Sequence, residues 1–146
     1  METDVPLNPP SVIVTGTASD AHTWNLVYLQ LLLEELGRQV SNLGPCMPDD
    51  ELVDTCRRAE PALIVLSSVN GHGVSDGLRL VRRLREQPEL AATPIVIGGK
   101  LGITGAGDSR HTRDLLDAGF DEVFDEGAGI EPFRSFVSAL PAGGTR

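Results

Sequence analysis

A chain of 146 residues, 40% of them hydrophobic, has the size and composition of one globular domain that buries roughly two thirds of its unfolded surface. Its formal charge of −9 and pI of about 4.7 repel phosphate backbones and argue against a nucleic-acid partner. The most apolar stretch, 26–36, is short and runs into Glu34-Glu35, so no membrane span is expected.

The N-terminal Met1-Glu2-Thr3-Asp4 is acidic and lacks the basic and apolar regions of a signal peptide. Cys46 and Cys56 form neither a CxxC pair nor a disulfide framework. Two thiols fit a reducing, cytoplasmic setting.

In chain order, residues 1–10, with Asn8-Pro9-Pro10, read as a flexible arm. Residues 11–15 are apolar throughout and predict a strand buried on both faces. Leu26, Leu29, Leu32, Leu33 and Leu36 recur at helical spacing over 23–36, and Gly37 ends that helix. Residues 39–43 predict a second strand. Asp49-Asp50-Glu51 supplies the acidic first turn of a helix running to Arg58. Residues 62–66 predict a third strand, and Ser75-Asp76 opens a helix through Leu78, Leu80, Val81 and Leu84. Residues 93–97 predict a fourth strand, ending in Gly98-Gly99. A helix over 110–118 is capped by Gly119, a weaker fifth strand covers 121–124, and a last helix covers 130–140. Residues 141–146, with Pro141 and Gly143-Gly144, read as a flexible tail, leaving 11–140 as the expected domain.

Five β–α units with continuous apolar strands predict a doubly wound parallel sheet, an α/β flavodoxin-like (Rossmann-like) fold of order 2-1-3-4-5. Ligands of such sheets bind beyond the C-terminal strand ends, near the switch point between strands 1 and 3. Four segments fall there: 15–22, 67–73, 98–100 and 125–129. Three of them are rich in Gly and small polar residues. Gly lets backbone approach a ligand closely, which suits a long or flat ligand. The same composition also suits an ordinary βα turn. In the first segment, Asp20 precedes His22 by two residues. Such a pair can hold an imidazole in one tautomer and raise the basicity of its free nitrogen, as metal-ligating histidines require, or it can be a plain loop turn.

A response-regulator receiver needs acidic residues after strand 1 and a phosphoacceptor Asp ending strand 3. This chain has Thr15-Gly16 and Ser67-Ser68 there. Thr15-Gly16-Thr17-Ala18-Ser19 superficially resembles a flavodoxin phosphate loop, but no aromatic residue lies between Tyr28 and Phe120 to grip a flavin.

The combination resembles the cobalamin-binding domain family, and within it the small subunits of glutamate (methylaspartate) mutase. That family's pattern is Asp-x-His-x-x-Gly, then Ser-x-Leu, then Gly-Gly. Here the matching residues are Asp20-Ala21-His22-Thr23-Trp24-Asn25, Ser67-Ser68-Val69 and Gly98-Gly99. Asn42-Leu43-Gly44, Gly71-His72-Gly73 and the run from Ala118 through Phe120 to Phe124 extend the resemblance, which spans residues 12–140. Two positions depart from the pattern: Asn25 stands for the motif Gly, and Val69 for Leu.

The resemblance implies adenosylcobalamin bound base-off and His-on. His22 is then the lower axial ligand of cobalt, and Asp20 hydrogen-bonds its other ring nitrogen. Thr23, Ser67, Val69, Gly71, Gly98, Gly99 and Gly127 are the further cofactor-binding residues, with the nucleotide tail threaded between strands 1 and 3. It further implies an isomerase subunit that acts with a separate TIM-barrel large subunit and converts L-glutamate to 3-methylaspartate. This chain supplies no catalytic residue of its own. The alternatives are a corrinoid carrier or sensor without mutase activity, and a flavodoxin-like interaction domain without cofactor.

Overall fold

The structure is a computed structural model that describes residues 12–16, 24–44, 47–67, 73–99, 109–125 and 131–140. Its strands are β1 (Val12–Gly16), β2 (Val40–Gly44), β3 (Leu63–Ser67), β4 (Ile95–Gly99) and β5 (Glu122–Asp125). They alternate with α1 (Trp24–Glu35), α2 (Asp49–Ala59), α3 (Gly73–Arg85), α4 (Ser109–Ala118) and α5 (Glu131–Ala139). The sheet is parallel throughout, in the order β2-β1-β3-β4-β5. The doubly wound fold expected from the sequence is therefore the one observed. A short 3₁₀ turn at Pro88–Leu90, which the sequence reading did not include, follows α3.

Alternation along each strand divides the core in two. Ile13, Ile64, Leu66, Ile95 and Ile97 face α2, α3 and α4, meeting Leu52, Cys56, Leu80, Leu84 and Leu115. Val12, Val14, Leu63, Val65 and Val96 face α1 and α5, meeting Leu26, Leu33, Phe133 and Val137. Covered on both sides, β1 and β3 are buried along their whole length, as their unbroken apolar runs require.

Each strand extends one or two residues beyond its predicted C-terminal end, through Gly16, Gly44, Ser67, Gly99 and Asp125. These residues have low strand propensity, but their ladder partners hold them in the sheet. Gly37 and Gly119 close α1 and α4 with φ of +88° and +139°, a region open to Gly. Gly77 lets α3 lie close to the sheet, since a Cβ there would stand 2.8 Å from Ile97 Cδ1.

Candidate functional site at the C-terminal sheet edge

The strand ends bring small residues together across the sheet. Gly16 pairs with Ser67, Ser67 with Gly98, and Gly98 with Phe124. Residues level with one another in a parallel sheet share a face, so this row continues the face of Val12, Val14, Val65 and Val96. Below it those valines pack against α1 and α5. At the row, no side chain on β1, β3 or β4 is larger than the buried hydroxymethyl of Ser67. Phe124 closes the row on the β5 side, with its ring edge-on to Phe133 at 5.4 Å and to Phe136 at 5.9 Å. A shelf of small residues ending at an aromatic wall suits a large, flat group laid against backbone.

The structure departs from the sequence expectation at two points. Expected as a passage between strands 1 and 3, the small residues instead form a row on one face, because the β1–β3 ladder is closed through Gly16 and Ser67. Gly99, level with Asp125, falls on the opposite face from Gly98. Of the expected cofactor residues, Ser67 and Gly98 are thus adjacent on one face. Asp20, His22, Thr23, Val69, Gly71 and Gly127 lie outside the described residues. Gly98 also serves the fold: a Cβ there would stand 3.2 Å from the Phe124 carbonyl oxygen and 3.4 Å from its Cβ.

Sequence reasoning left the roles of Gly16, Phe124, Thr15 and Asn42 open. The buried Thr15 hydroxyl donates to the Gly44 carbonyl at 3.0 Å. Asn42 Oδ1 accepts the Gly44 N–H at 2.9 Å, and its Nδ2 donates to Gln30 Oε1 on α1 at 3.1 Å. The pairing skips Leu43, so that Val14 faces Asn42 while Thr15 faces Gly44. Asn42-Leu43-Gly44 therefore ends β2 and ties it to β1 and α1. The Asn-x-Gly spacing is the available signal, since an Asn side chain readily accepts the N–H two residues on.

On the other face of the same edge, Arg79 bridges the first turns of α2 and α3. It donates to Asp49 at 2.6 and 3.3 Å and to Asp76 at 3.2 Å. The hydrogen bond to Asp49 raises the Arg79 pKa further above its ordinary range, so the guanidinium stays charged as a fixed tie between helices. Cys56 is enclosed beneath α2, and burial pushes its thiol up to about 12, leaving it neutral and unreactive. Among the described residues, no group of three or more His, Cys, Asp or Glu could hold a metal ion, and no helix is long and apolar enough to cross a membrane.

A doubly wound sheet with a small-residue shelf at its switch-point edge defines a class of ligand-binding domain, and sequence likeness selects within it. The chain belongs to the B12 binding domain family, whose model matches residues 10–132. A glutamate mutase sigma subunit of Haloarcula marismortui is 30% identical over 120 residues, 80% of this chain and 76% of that protein. A second, from Fusobacterium nucleatum, is 25% identical over 82% of this chain and 88% of its own length.

Among solved structures, a cobalamin-binding protein of Desulfitobacterium hafniense superposes with a TM-score of 0.63 at 20% identity, over 87% of this chain. The present chain spans 59% of that protein's length. Receiver-type proteins superpose as well, which shows the shared fold alone. The receiver reading fails on residues, because β3 ends in Ser67 where a receiver carries its phosphoacceptor Asp.

Proposed function

We propose that this chain is the cobalamin-binding subunit of an adenosylcobalamin-dependent carbon-skeleton mutase, an isomerase that interconverts L-glutamate and 3-methylaspartate together with a separate TIM-barrel large subunit. The observation that carries it is the match of most of the chain to the B12 binding domain, joined to its likeness to glutamate mutase sigma subunits. The row Gly16, Ser67, Gly98 supports it independently: it leaves the α1–α5 face free of large side chains at the level where a nucleotide tail needs to lie.

In this reading His22 ligates cobalt, Asp20 holds the tautomer of His22, and Thr23, Ser67, Val69, Gly71, Gly98 and Gly127 line the cofactor. When held by these residues, adenosylcobalamin would supply radical chemistry through its cobalt–carbon bond. The chain's own work is to grip and orient. Ser67 and Gly98 limit how deeply the tail can sit, and Phe124 bounds it laterally. The Asn42 and Arg79 ties keep α1, α2 and α3 in place around that edge.

The test is to mix the protein with cobalamin, desalt it and record the visible spectrum, then measure electron paramagnetic resonance of the cob(II)alamin form with isotopically labelled protein. Retained colour and an axial-nitrogen splitting that changes with the label are expected. His22→Ala abolishes the splitting, and Asp20→Ala weakens binding by about 10–100-fold. A splitting indifferent to the label excludes ligation by the protein. Cofactor retention without turnover, once a glutamate mutase large subunit is added, identifies a carrier or sensor instead.

A further inference from the structure

The solvent face of α1 carries the wrong residues for a solvated helix. Leu26, Leu32 and Leu33 are buried against the sheet, with Leu29 and Leu36 partly so. The opposite face should then be polar. Instead Tyr28 is 51% exposed and Leu31 60% exposed, three residues apart on one face, with Val27 half-buried beside them. Gln30 is half-buried and turned to Glu34 and to Asn42 of β2, and the exposed charged side chains stand at the far end, at Glu34 and Glu35.

The position of this patch decides between occupants. Because β1 runs toward the candidate edge and α1 returns from it, Tyr28 and Leu31 lie only about 6 and 10 Å along the helix from its edge-side end, Trp24. The patch therefore continues the candidate cofactor edge, whereas the two glutamates lie away from it. A second copy of the chain is disfavoured, since each copy carries −9 and its own pair of glutamates beside the patch. A partner that covers the edge, is apolar opposite Tyr28 and Leu31, and is basic opposite Glu34 and Glu35 satisfies both the apolar and the charged ends.

We infer that the outer face of α1, centred on Tyr28 and Leu31, is a docking surface for the catalytic large subunit, which lays an apolar patch with a basic rim along it as it closes over the cofactor edge. This inference rests on the proposed function.

The experiment compares wild type, the double variant Tyr28→Gln/Leu31→Gln, and the control Leu116→Gln, which removes an exposed apolar side chain from α4, on the other side of the sheet. For each, cobalamin uptake is titrated by absorbance. Association of the cobalamin-loaded protein with a glutamate mutase large subunit is then followed by sedimentation velocity. The double variant is expected to take up cobalamin like wild type and to lose about tenfold or more in affinity for the large subunit. Leu116→Gln should match wild type in both measurements.

A double variant that associates as tightly as wild type overturns the docking face and leaves the cofactor reading standing. Equal losses in cobalamin uptake and in association also overturn it, by making the face part of the fold or the cofactor site. Cobalamin uptake by wild type without any association overturns it together with the partner half of the functional reading. A wild-type dimer that the double variant dissolves assigns the face to a second copy and overturns it as well.

Discussion

Cys56 and Gly98 show how a single position can be set by its surroundings. The Cys56 thiol is neutral because no water reaches it, and its pKa stands at about 12 against an ordinary 9.0. Unfolding exposes the thiol and lets it ionise near 9. Between pH 9 and about 12 the unfolded chain therefore binds fewer protons than the folded one, and stability falls as pH rises through that window. Denaturant titrations from pH 8 to 11 should show this fall, and Cys56→Ala should flatten it; an equal slope in both proteins refutes the assignment. At Gly98 the constraint is steric. The nearest obstacle to an added Cβ is the Phe124 carbonyl oxygen, a backbone atom of the neighbouring strand that cannot swing aside. Gly98→Ala should cost about 1 to 2 kcal/mol of stability through displacement of β5, measurable by urea unfolding. Loss of cobalamin binding in a Gly98 variant is therefore informative only beside its stability.

At the level of elements, one arginine fastens four of them. Arg85, at the end of α3, donates to the carbonyls of Gly119 at 3.0 Å, Leu90 at 2.9 Å and Thr93 at 2.8 Å, and to Asp121 at 2.9 Å. The same Asp121 oxygen accepts the Ile95 N–H at 2.8 Å, where β4 begins. The clamp thus joins α3, the 3₁₀ turn, the end of α4 and the start of β4 at the sheet edge opposite the candidate site. Arg85→Ala strands several half-buried carbonyls and should cost about 3 kcal/mol in thermal or chemical unfolding. Arg85→Lys should recover little, since one ammonium cannot reach acceptors so far apart. The Arg79 tie between α2 and α3 is more exposed, so Arg79→Ala should cost about 1 kcal/mol or less and lose its effect in high salt.

Over the whole molecule, the two edges of the sheet divide the work. The Arg85 clamp holds the N-terminal edge of β4 and β5, and the C-terminal edge presents the shelf. A ligand bound only by the folded chain stabilises it by mass action, about 2.7 kcal/mol at a hundredfold excess over Kd. Cobalamin should therefore raise the melting temperature, as calorimetry can record. The rise should shrink in His22→Ala and persist in Arg85→Ala, whose melting point starts lower. A rise of equal size in His22→Ala would count against cobalt ligation by that residue.

The sequence by itself determined the order of elements and the sheet, because continuous apolar strands alternating with amphipathic helices admit few parallel arrangements. It also pointed to the edge where chemistry belongs, since Gly and Ser gather after strands 1, 3 and 4. It stopped the strands short at those same residues, whose low strand propensity is overridden by ladder bonds to neighbours distant in the chain. Only the tertiary structure decided that Gly16, Ser67 and Gly98 form one row while Gly99 falls on the other face, because register is a property of paired strands. It alone showed that Asn42 ends a strand, that Arg85 finds acceptors up to 36 residues away, and that Tyr28 and Leu31 face outward. On α1 the spacing of Leu26, Leu29, Leu32, Leu33 and Leu36 already marked the side that packs on the sheet, while the apolar Tyr28 and Leu31 are seen to stay uncovered only in the folded chain.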